Sequence, residues 1–287
     1  MRVVREVSAL RAAIAEARSA GHRVGFVPTM GALHEGHLSL IDRARAQCGC
    51  VVLSIFVNPL QFAPTEDLAR YPRTEVADLA SAAERGIAIA FVPTVETMYP
   101  GLRVVSVVPD SLADRFEGAI RPGHFAGVLT VVAKLFNLVQ PDVAVFGQKD
   151  LQQATLLRAM VRDLDFPLTL DVAPIVRERD GVAMSSRNRY LDPTQRLAAR
   201  SLSRALAAIT DRFVTGETDA VALVAVGAAW LRQESGVTID YLCVVDPVRL
   251  EPVTLASRDD YIILATRVGA TRLLDNHRLG DRFPSPT

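Results

Sequence analysis

The chain has 287 residues and 49% of them are hydrophobic, which is enough to bury a large core in one large domain or two ordinary ones. Its 32 basic and 32 acidic residues cancel, and this balance argues against wholesale binding to nucleic acid or to an anionic membrane surface. The three cysteines are too few for a disulfide framework and are typical of a reducing compartment.

The sequence indicates neither a targeting segment nor a membrane span. Glu6 and Glu16 interrupt the stretch 3–20, which is atypical of a signal or transit peptide. The longest apolar run, 220–231, is shorter than the ~20 residues that a transmembrane helix requires. We therefore expect a cytoplasmic protein that binds neither membranes nor nucleic acids.

The first part of the chain alternates between helical and strand-like hydrophobic spacing. A helical pattern over 7–20 stops at Gly21, a residue type that commonly follows a helix. Near-continuous apolar runs then alternate with further helical patterns, which is typical of a parallel sheet covered by helices on both faces. We predict strands at 24–27, 51–57, 87–92, 143–146 and 168–172, and helices near 37–47, 75–85, 125–139 and 150–163.

After about residue 175 the alternation gives way to consecutive helices and then strands. The predicted order is a polar loop at 177–189, helices at 193–213 and 219–233, and strands at 238–245, 261–266 and 271–274. The sequence thus predicts an α/β fold, a Rossmann-like doubly wound parallel sheet, over residues 1–175. A smaller C-terminal α+β domain is predicted over 176–287.

The segment GFVPTMGALHEGHLSLI, residues 25–41, has the pattern of a strand, a turn and the start of a helix. His34 and His37 stand three apart at the predicted helix entrance. Backbone N–H groups and the helix dipole favour anions at such a position, phosphate above all. Two imidazoles can donate hydrogen bonds to phosphate oxygens as charge develops on them, although a purely structural pair is an alternative. The segment therefore points to nucleotide chemistry.

Other readings of this segment have less support. The chain contains neither a Walker A sequence nor GxGxxG, so the sequence does not indicate a P-loop or a dinucleotide fold. Zinc is an alternative for HEGH, but zincins place their two histidines four residues apart rather than three. A structural zinc protein that uses His34, His37 and the cysteines stays open as a non-enzymatic alternative.

Two further polar clusters follow predicted strands, at the edge of the sheet where ligands bind. In SIFVNPLQF, Asn58 and Gln61 offer neutral amides that can orient a small polar substrate, unless they form only a turn. In FGQKDLQQ, Lys149 suits phosphate and Asp150 suits either a helix cap or the hydroxyls of a sugar. Gln153 lies one helical turn on, and a capped helix with a solvated lysine is the alternative.

A polar cluster of hydroxyls and a guanidinium lies in the predicted loop of the second domain. The sequence AMSSRN places Ser185 and Ser186 beside Arg187, whose fixed donor geometry suits triphosphate oxygens. A loop here can close over a nucleotide and exclude water. An ordinary serine-rich turn is the alternative.

Taken together, these segments closely resemble the pantothenate synthetase family, ligases of the HxGH nucleotidyltransferase superfamily. The resemblance covers nearly the whole chain, and its motifs occur in the family's order. HxGH alone indicates only the superfamily, whereas the run of long motifs is specific to the family. The motifs are PTMGALHEGH, SIFVNPLQF, YPRT, RPGHFAGVLTVV, FGQKDLQQ, MSSRNRYL and TRLLDN.

The resemblance implies that (R)-pantoate and β-alanine condense to pantothenate at the expense of ATP. Pantoate carboxylate attacks the α-phosphorus of ATP, which yields pantoyl adenylate and pyrophosphate. The amine of β-alanine then attacks the acyl carbon and releases AMP. The first step needs charge stabilisation on phosphate oxygens, which His, Lys, Ser and Mg²⁺ can supply. The family also implies a homodimer, and a lid role for the second domain.

The resemblance also implies roles for individual residues. The catalytic candidates are His34, His37 and Lys149, with His37 as proton donor or transition-state stabiliser. Gln61 would contact pantoate and β-alanine and Gln153 would hold pantoate, with Asn58 beside them; we assign no protein ligand to a metal. The ATP-binding residues would be Met30, Gly31, Ala32, Leu33, His34, Glu35, Gly36, His37, Gly147, Gln148, Lys149, Asp150, Val176, Met184, Ser185, Ser186 and Arg187.

Three details extend or depart from the family pattern. Many members have Glu where this chain has Gln148, a difference that we expect to cost little. We expect the stretch 63–70 to form a gate beside the pocket, and Arg121 and His124 of RPGHFAG to face the site.

Besides the structural zinc protein, two rival functions remain open. One is a nucleotidyltransferase that stops after nucleotide transfer, although a phosphorylated acceptor would favour Arg or Lys over the amides of Gln61 and Gln153. The other is a nucleotide-binding regulatory module without catalysis.

Overall fold

The computed structural model describes residues 1–63 and 68–284. The chain forms two compact units. The first comprises residues 1–147 and 152–173, and the second comprises 148–151 together with the chain from Pro174 onward. The predicted gate at 63–70 includes residues 64–67, which lie outside the described residues.

The first unit is built on a sheet whose neighbouring strands are all parallel. The strands are β1 (Arg2–Val4), β2 (Val24–Thr29), β3 (Cys50–Ile55), β4 (Ile89–Phe91), β5 (Val143–Gly147) and β6 (Thr169–Ala173). Their spatial order is β1-β4-β3-β2-β5-β6. The chain therefore runs outward from β2 through β3 to β4 and then returns to the other side of β2. Parallel sheets bind ligands at such a reversal, beyond the carboxyl ends of the strands.

Helices cover both faces of this sheet because successive strand residues point to opposite faces. Phe26 of β2 packs in one core with Leu10 and Phe136, whereas the next residue, Val27, packs in a second core with Ile41. The helices are α1 (Val7–Ser19), α2 (Glu35–Arg45), α3 (Glu75–Glu84), α4 (Val95–Met98), α5 (Glu117–Ile120), α6 (His124–Val139) and α7 (Leu151–Asp163). Apolar strands with two buried faces explain the near-continuous hydrophobic runs in the sequence.

The second unit pairs two helices with a small antiparallel sheet. Its elements are α8 (Pro193–Val214), α9 (Ala220–Arg232), β7 (Val237–Val245), β8 (Tyr261–Val268) and β9 (Thr271–Arg278), with strand order β7-β8-β9. A capping box starts α8, since the side chains of Asp192 and Gln195 each accept a backbone N–H of the other. Leu206 of α8, Leu223 of α9 and Leu264 of β8 are buried in a common core.

The predicted helices and strands of both units are confirmed, as is the α/β doubly wound class of the first. Two differences have physical causes. Strand β1 was not predicted because three residues carry too little pattern, and it forms by pairing Val3 with Ala90 of β4. Strand β9 continues past residue 274 to Arg278, because its pairing with β8 accommodates the polar residues that break the apolar run. Of the helices in the described part of the chain, none combines the length and apolar character that crossing a bilayer requires.

Candidate active site

A buried carboxylate holds the turn between β2 and α2. Gly31 and Ala32 both have positive φ, +83° and +51°, a region that glycine enters freely and alanine only at a cost. Asp78 of α3 is 3% exposed and accepts hydrogen bonds from the N–H of Ala32, at 2.9 Å, and from that of Leu33, at 2.8 Å. The hydroxyl of Thr74 donates to the same carboxylate. This carboxylate therefore determines the path of the chain into α2.

The two histidines lie together at the N-terminus of α2. His34 is the N-cap residue and His37 lies in the first turn, with ring centroids 4.1 Å apart and 33° between the ring planes. Both are half-buried, while Glu35 between them is exposed and pairs with Arg85 at 2.5 Å. The predicted helix starts two residues earlier than its pattern indicated, at Glu35. Its first N–H groups and its dipole thus lie beside both imidazoles, an arrangement that favours phosphate.

The amides that follow β3 are buried and bonded to each other. Asn58 and Gln61 are 1% and 9% exposed, and the Nδ2 of Asn58 lies 3.2 Å from the Oε1 of Gln61. The Nε2 of Gln61 lies 3.0 Å from the Sδ of Met30, in the turn after β2. The first unit therefore brings a predicted substrate residue into contact with a predicted nucleotide residue.

The RPGHFAG segment supports Gln61 through its main chain. His124 Nδ1 and the Arg121 guanidinium lie 2.8 Å and 3.3 Å from the carbonyl oxygen of Gln61. Gly127 allows α6 to approach this segment closely, since a Cβ there would overlap the carbonyl of Leu60. Arg121 and His124 were expected to face the site. In the structure both contact the backbone carbonyl of Gln61, a predicted substrate residue.

The adjacent glutamines at the start of α7 have different environments. Gln152 is 7% exposed; its amide donates to the carbonyls of Leu112 and Arg115 and accepts the N–H of Glu117. Gln153 is half-buried. Tertiary packing thus gives Gln152 a structural role, while the substrate role of Gln153 stays a prediction.

In the second unit, Asn276 of β9 holds the turn that contains the predicted phosphate-binding lysine. Asn276 is 2% exposed, and its Nδ2 donates to the carbonyls of Gln148 and Lys149, both at 3.0 Å. The Nε2 of Gln148 donates back to its Oδ1 at 3.1 Å. Lys149 Nζ lies 3.5 Å from Asp150. These bonds explain why residues 148–151, which directly follow Gly147 of β5, cluster with the second unit.

The MSSRN segment borders a recess in the same unit. Met184 N–H donates to the carbonyl of Val176, so two predicted nucleotide residues are hydrogen-bonded neighbours. The hydroxyl of Ser185 accepts the N–H of Arg187 at 3.2 Å and so starts the short helix Ser186–Tyr190. The recess is lined by Lys149, Val182, Ala183, Ser185, Asn188, Leu202, Leu273, Leu274 and Asp275. Most of these residues are apolar, so the recess by itself does not indicate a phosphate site, although Lys149 and Ser185 lie at it.

Sequence reasoning missed three polar residues that hold these groups. Asp78 follows the YPRT motif, Tyr99 donates to Asn58, and Asn276 belongs to the TRLLDN motif, to which no role was assigned. Of the three, Asn276 would have been the easiest to predict from the sequence, because a polar pair inside an otherwise apolar strand is a signal of buried hydrogen bonding. Over residues 1–63 and 68–284, no three His, Cys, Asp or Glu side chains come together as a metal-ion site.

Comparison with known proteins identifies the family. The family model described as pantoate-beta-alanine ligase matches residues 2–278. A pantothenate synthetase from Acidobacterium capsulatum is 51% identical over 292 residues, 98% of each chain, and one from Pseudomonas putida KT2440 is 51% identical over 96% of each.

Solved structures agree with the sequence relatives. The crystal structure of pantothenate synthetase from Thermus thermophilus has a TM-score of 0.93 at 46% identity, over 97% of this chain and 99% of that one. The ligase from Francisella tularensis, complexed with beta-gamma ATP and beta-alanine, has a TM-score of 0.77 at 29% identity over 100% of both chains. With a family match of this length and relatives this similar, the chain belongs to the pantoate–β-alanine ligase family.

Proposed function

We propose that this protein joins (R)-pantoate to β-alanine in an ATP-dependent reaction that forms pantothenate, the precursor of coenzyme A. The observation that carries the proposal is the family match over residues 2–278, which includes every predicted site residue. The placement of the site residues supports the same chemistry. Residues around α2 and β3 supply imidazoles and amides, and the second unit supplies a lysine and hydroxyls.

In the first step, an oxygen of the pantoate carboxylate bonds to the α-phosphorus of ATP while the bond to the β-phosphate oxygen breaks. Pyrophosphate leaves and pantoyl adenylate remains. Mg²⁺ carried by ATP would neutralise part of the charge on the phosphate oxygens, and we assign no residue of this chain as its ligand. His34, His37 and the N–H groups at the start of α2 stabilise charge on the phosphate oxygens, with His37 as proton donor to the leaving phosphate. Lys149 contributes a point charge at the phosphates.

In the second step, the amine nitrogen of β-alanine bonds to the acyl carbon of the adenylate. The bond from that carbon to the phosphate oxygen breaks, AMP leaves, and the nitrogen gives up a proton. AMP is needed because a free carboxylate has no leaving group that an amine can displace. Gln61 contacts both small substrates in this proposal and Gln153 completes the pantoate pocket, while Asn58, whose buried amide is fully bonded within the protein, lies behind Gln61.

Nucleotide binding is assigned to both units. In the first unit, we assign nucleotide binding to Gly147 and to the turn from Met30 to His37, which Asp78 supports. In the second unit, we assign it to the turn that Asn276 supports and to the segment after Ala183. The second-unit residues are Gln148, Lys149, Asp150, Val176, Met184, Ser185, Ser186 and Arg187, with Asp150 at the ribose. The lid role of residues 176–287 and the gate at 63–70 stay predictions.

We further propose that the protein is a cytoplasmic homodimer. The segment 102–108 of the first unit lies outside the helices and strands and exposes several apolar side chains, and exposed apolar surface can serve as an interaction site. Thr130 of α6 holds this segment through hydrogen bonds with the N–H and carbonyl of Val107. The exposed residues are Leu102, Val104, Val105 and Val108, whose exposed fractions are 90%, 83%, 76% and 73%. We assign these side chains to contact with a second copy of the chain.

The deciding experiment incubates the purified protein with ATP, Mg²⁺ and pantoate, with and without β-alanine. We expect sustained AMP release only with β-alanine, and an equal amount of pantothenate. Pantoate-dependent pyrophosphate should appear in a single burst without β-alanine, because the adenylate stays bound. Folded protein that releases no pyrophosphate in response to pantoate would refute the proposal.

A further inference from the structure

A chain of hydrogen bonds runs from Tyr99 through Asn58 to Gln61. The hydroxyl of Tyr99, directly after α4, lies 2.9 Å from the Oδ1 of Asn58. The Nδ2 of Asn58 lies 3.2 Å from the Oε1 of Gln61. Asn58 is 1% exposed, so its amide has exchanged water for these partners. The proposed reaction does not use Tyr99 directly.

The orientation of the Asn58 amide follows from two partners that cannot change roles. The backbone N–H of Leu60 donates to its Oδ1 at 3.3 Å, and the carbonyl of Gly127 accepts from its Nδ2 at 3.1 Å. A backbone N–H only donates and a carbonyl only accepts. The Asn58 oxygen therefore faces Tyr99, and its NH₂ group faces Gln61.

This orientation determines which end of the Gln61 amide is available to a ligand. Its Oε1 accepts from Asn58, so the NH₂ group is directed to the other side, where it lies 3.0 Å from the Sδ of Met30. A thioether is a weak acceptor. An oxygen atom of a ligand is a better partner for these N–H groups than the sulfur is.

Tyr99 can act only as a donor in this chain. An amide oxygen has no proton to give, so the hydroxyl proton must point toward Asn58. A tyrosine hydroxyl is protonated at neutral pH, and burial raises the pKa of Tyr99 further, to about 12. Phe56 packs against the ring at a centroid distance of 6.1 Å, and Lys134 Nζ lies 5.8 Å from its centroid. The donor therefore has a defined position.

We propose that Tyr99 is a positioning residue for pantoate: through Asn58 it sets the Gln61 amide so that Nε2 donates to an oxygen of the hydroxy acid. The inference rests on the proposed function for the identity of the ligand. The direction of these hydrogen bonds turns the NH₂ group of Gln61 toward the ligand. This group favours an acceptor oxygen of a carboxylate or hydroxyl and disfavours an ammonium group. A role in packing alone would not depend on the direction of the hydrogen bonds.

The first test compares Tyr99→Phe with wild type and with Tyr241→Phe, a control on β7 of the second unit. Loss of one hydrogen bond to a buried amide should raise the KM for pantoate about five- to tenfold. The KM for ATP and kcat should stay within about twofold, since the phosphate-binding groups are unchanged. A Tyr99→Phe enzyme with the wild-type KM for pantoate would overturn the inference.

The second test asks whether Gln61 donates a hydrogen bond to pantoate. It uses the nearly isosteric change Gln61→Glu, with Gln61→Ala as its reference. A carboxylate still accepts from Asn58 but presents an acceptor and a negative charge to pantoate. We expect Gln61→Glu to raise the KM for pantoate at least as much as Gln61→Ala does. If Gln61→Glu kept the KM for pantoate near that of wild type, Nε2 donation would be wrong.

Different results would refute the proposed function and the positioning role of Tyr99. A wild-type enzyme that makes no pantothenate would refute the proposed function. An active wild type in which Tyr99→Phe shifts the KM values for pantoate and ATP equally would leave the function in place and refute only the positioning role.

Discussion

Individual buried polar residues hold the candidate site in shape. Asp78, Asn58 and Asn276 are each at most 3% exposed, and each bonds to backbone or amide groups of residues assigned to ligands. A buried group that loses its partner costs ~1–3 kcal/mol. Substitutions at these positions should therefore affect both stability and ligand binding, whereas substitutions of the ligand-contacting side chains should affect mainly turnover.

His37 is the residue whose loss should affect chemistry most. His37→Ala removes an imidazole from the N-terminus of α2, where the proposed reaction would develop charge on phosphate. We expect adenylate formation to fall by ~10²–10³. The fold should persist, because the side chain is only half-buried. Pantoate-dependent pyrophosphate release and circular dichroism measure the two effects, with His22→Ala, an exposed histidine of the same unit, as control. If folded His37→Ala protein kept the wild-type turnover, the catalytic role assigned to His37 would be wrong.

Asp78→Asn should weaken ATP binding without removing a ligand contact. An asparagine has a single acceptor oxygen, so the two N–H groups at Ala32 and Leu33 cannot both keep their present geometry. We expect the free energy of unfolding to fall by ~1–3 kcal/mol and the KM for ATP to rise. Asp163→Asn, at an exposed ion pair, should change stability by less than about 1 kcal/mol. Urea unfolding measures the stability of both variants, and steady-state kinetics give their KM for ATP. If Asp78→Asn left the KM for ATP unchanged, Asp78 would have a structural role only.

At the scale of secondary-structure elements, the site is formed where several elements end. Strands β2 and β3 end beside each other in register, with Thr29 paired to Ile55. The turn into α2 and the segment from Asn58 to Gln61 therefore start from neighbouring points at one sheet edge. Helix α6 completes the arrangement through its first turn, where Gly127 contacts the backbone after β3.

Gly127→Ala tests this contact between elements. The added methyl group would overlap the Leu60 carbonyl, so α6 or the segment at Pro59–Gln61 must move. Overpacking of this kind costs ~1–3 kcal/mol, and the displaced Gln61 should raise the KM for pantoate. Gly147→Ala serves as control for stability, because a Cβ there meets no atom within 4 Å. Equal unfolding free energies for the two variants would show that α6 tolerates the methyl group.

At the scale of the whole molecule, the proposed homodimer would use the exposed apolar residues between Leu102 and Val108. We expect Val104→Lys to shift the protein from dimer to monomer in sedimentation equilibrium at micromolar concentration. A lysine at this position would bury an unpaired charge in the interface, which is costly. Val76→Lys, on the exposed side of α3, is the matched control. If the Val104→Lys protein remained a dimer, the dimer contact would have to lie on another surface.

The sequence by itself determined the α/β class, nearly all strands and helices, and the motif residues. These features depend on local periodicity and on residue type, which a single chain displays directly: His34 and His37 stand at a helix start because a turn and an amphipathic pattern flank them. The family resemblance drawn from the same motifs was confirmed by the family match over residues 2–278.

Only the tertiary structure decided which polar residues support the others. Gln152 and Gln153 are identical in type and adjacent in sequence, and only burial and tertiary hydrogen bonds separate the structural amide from the half-buried one. Asp78 lies 46 residues from Ala32, and Asn276 lies 127 residues from Lys149. Hydrogen bonds across such separations leave no local periodicity in the sequence, because they depend on how elements pack.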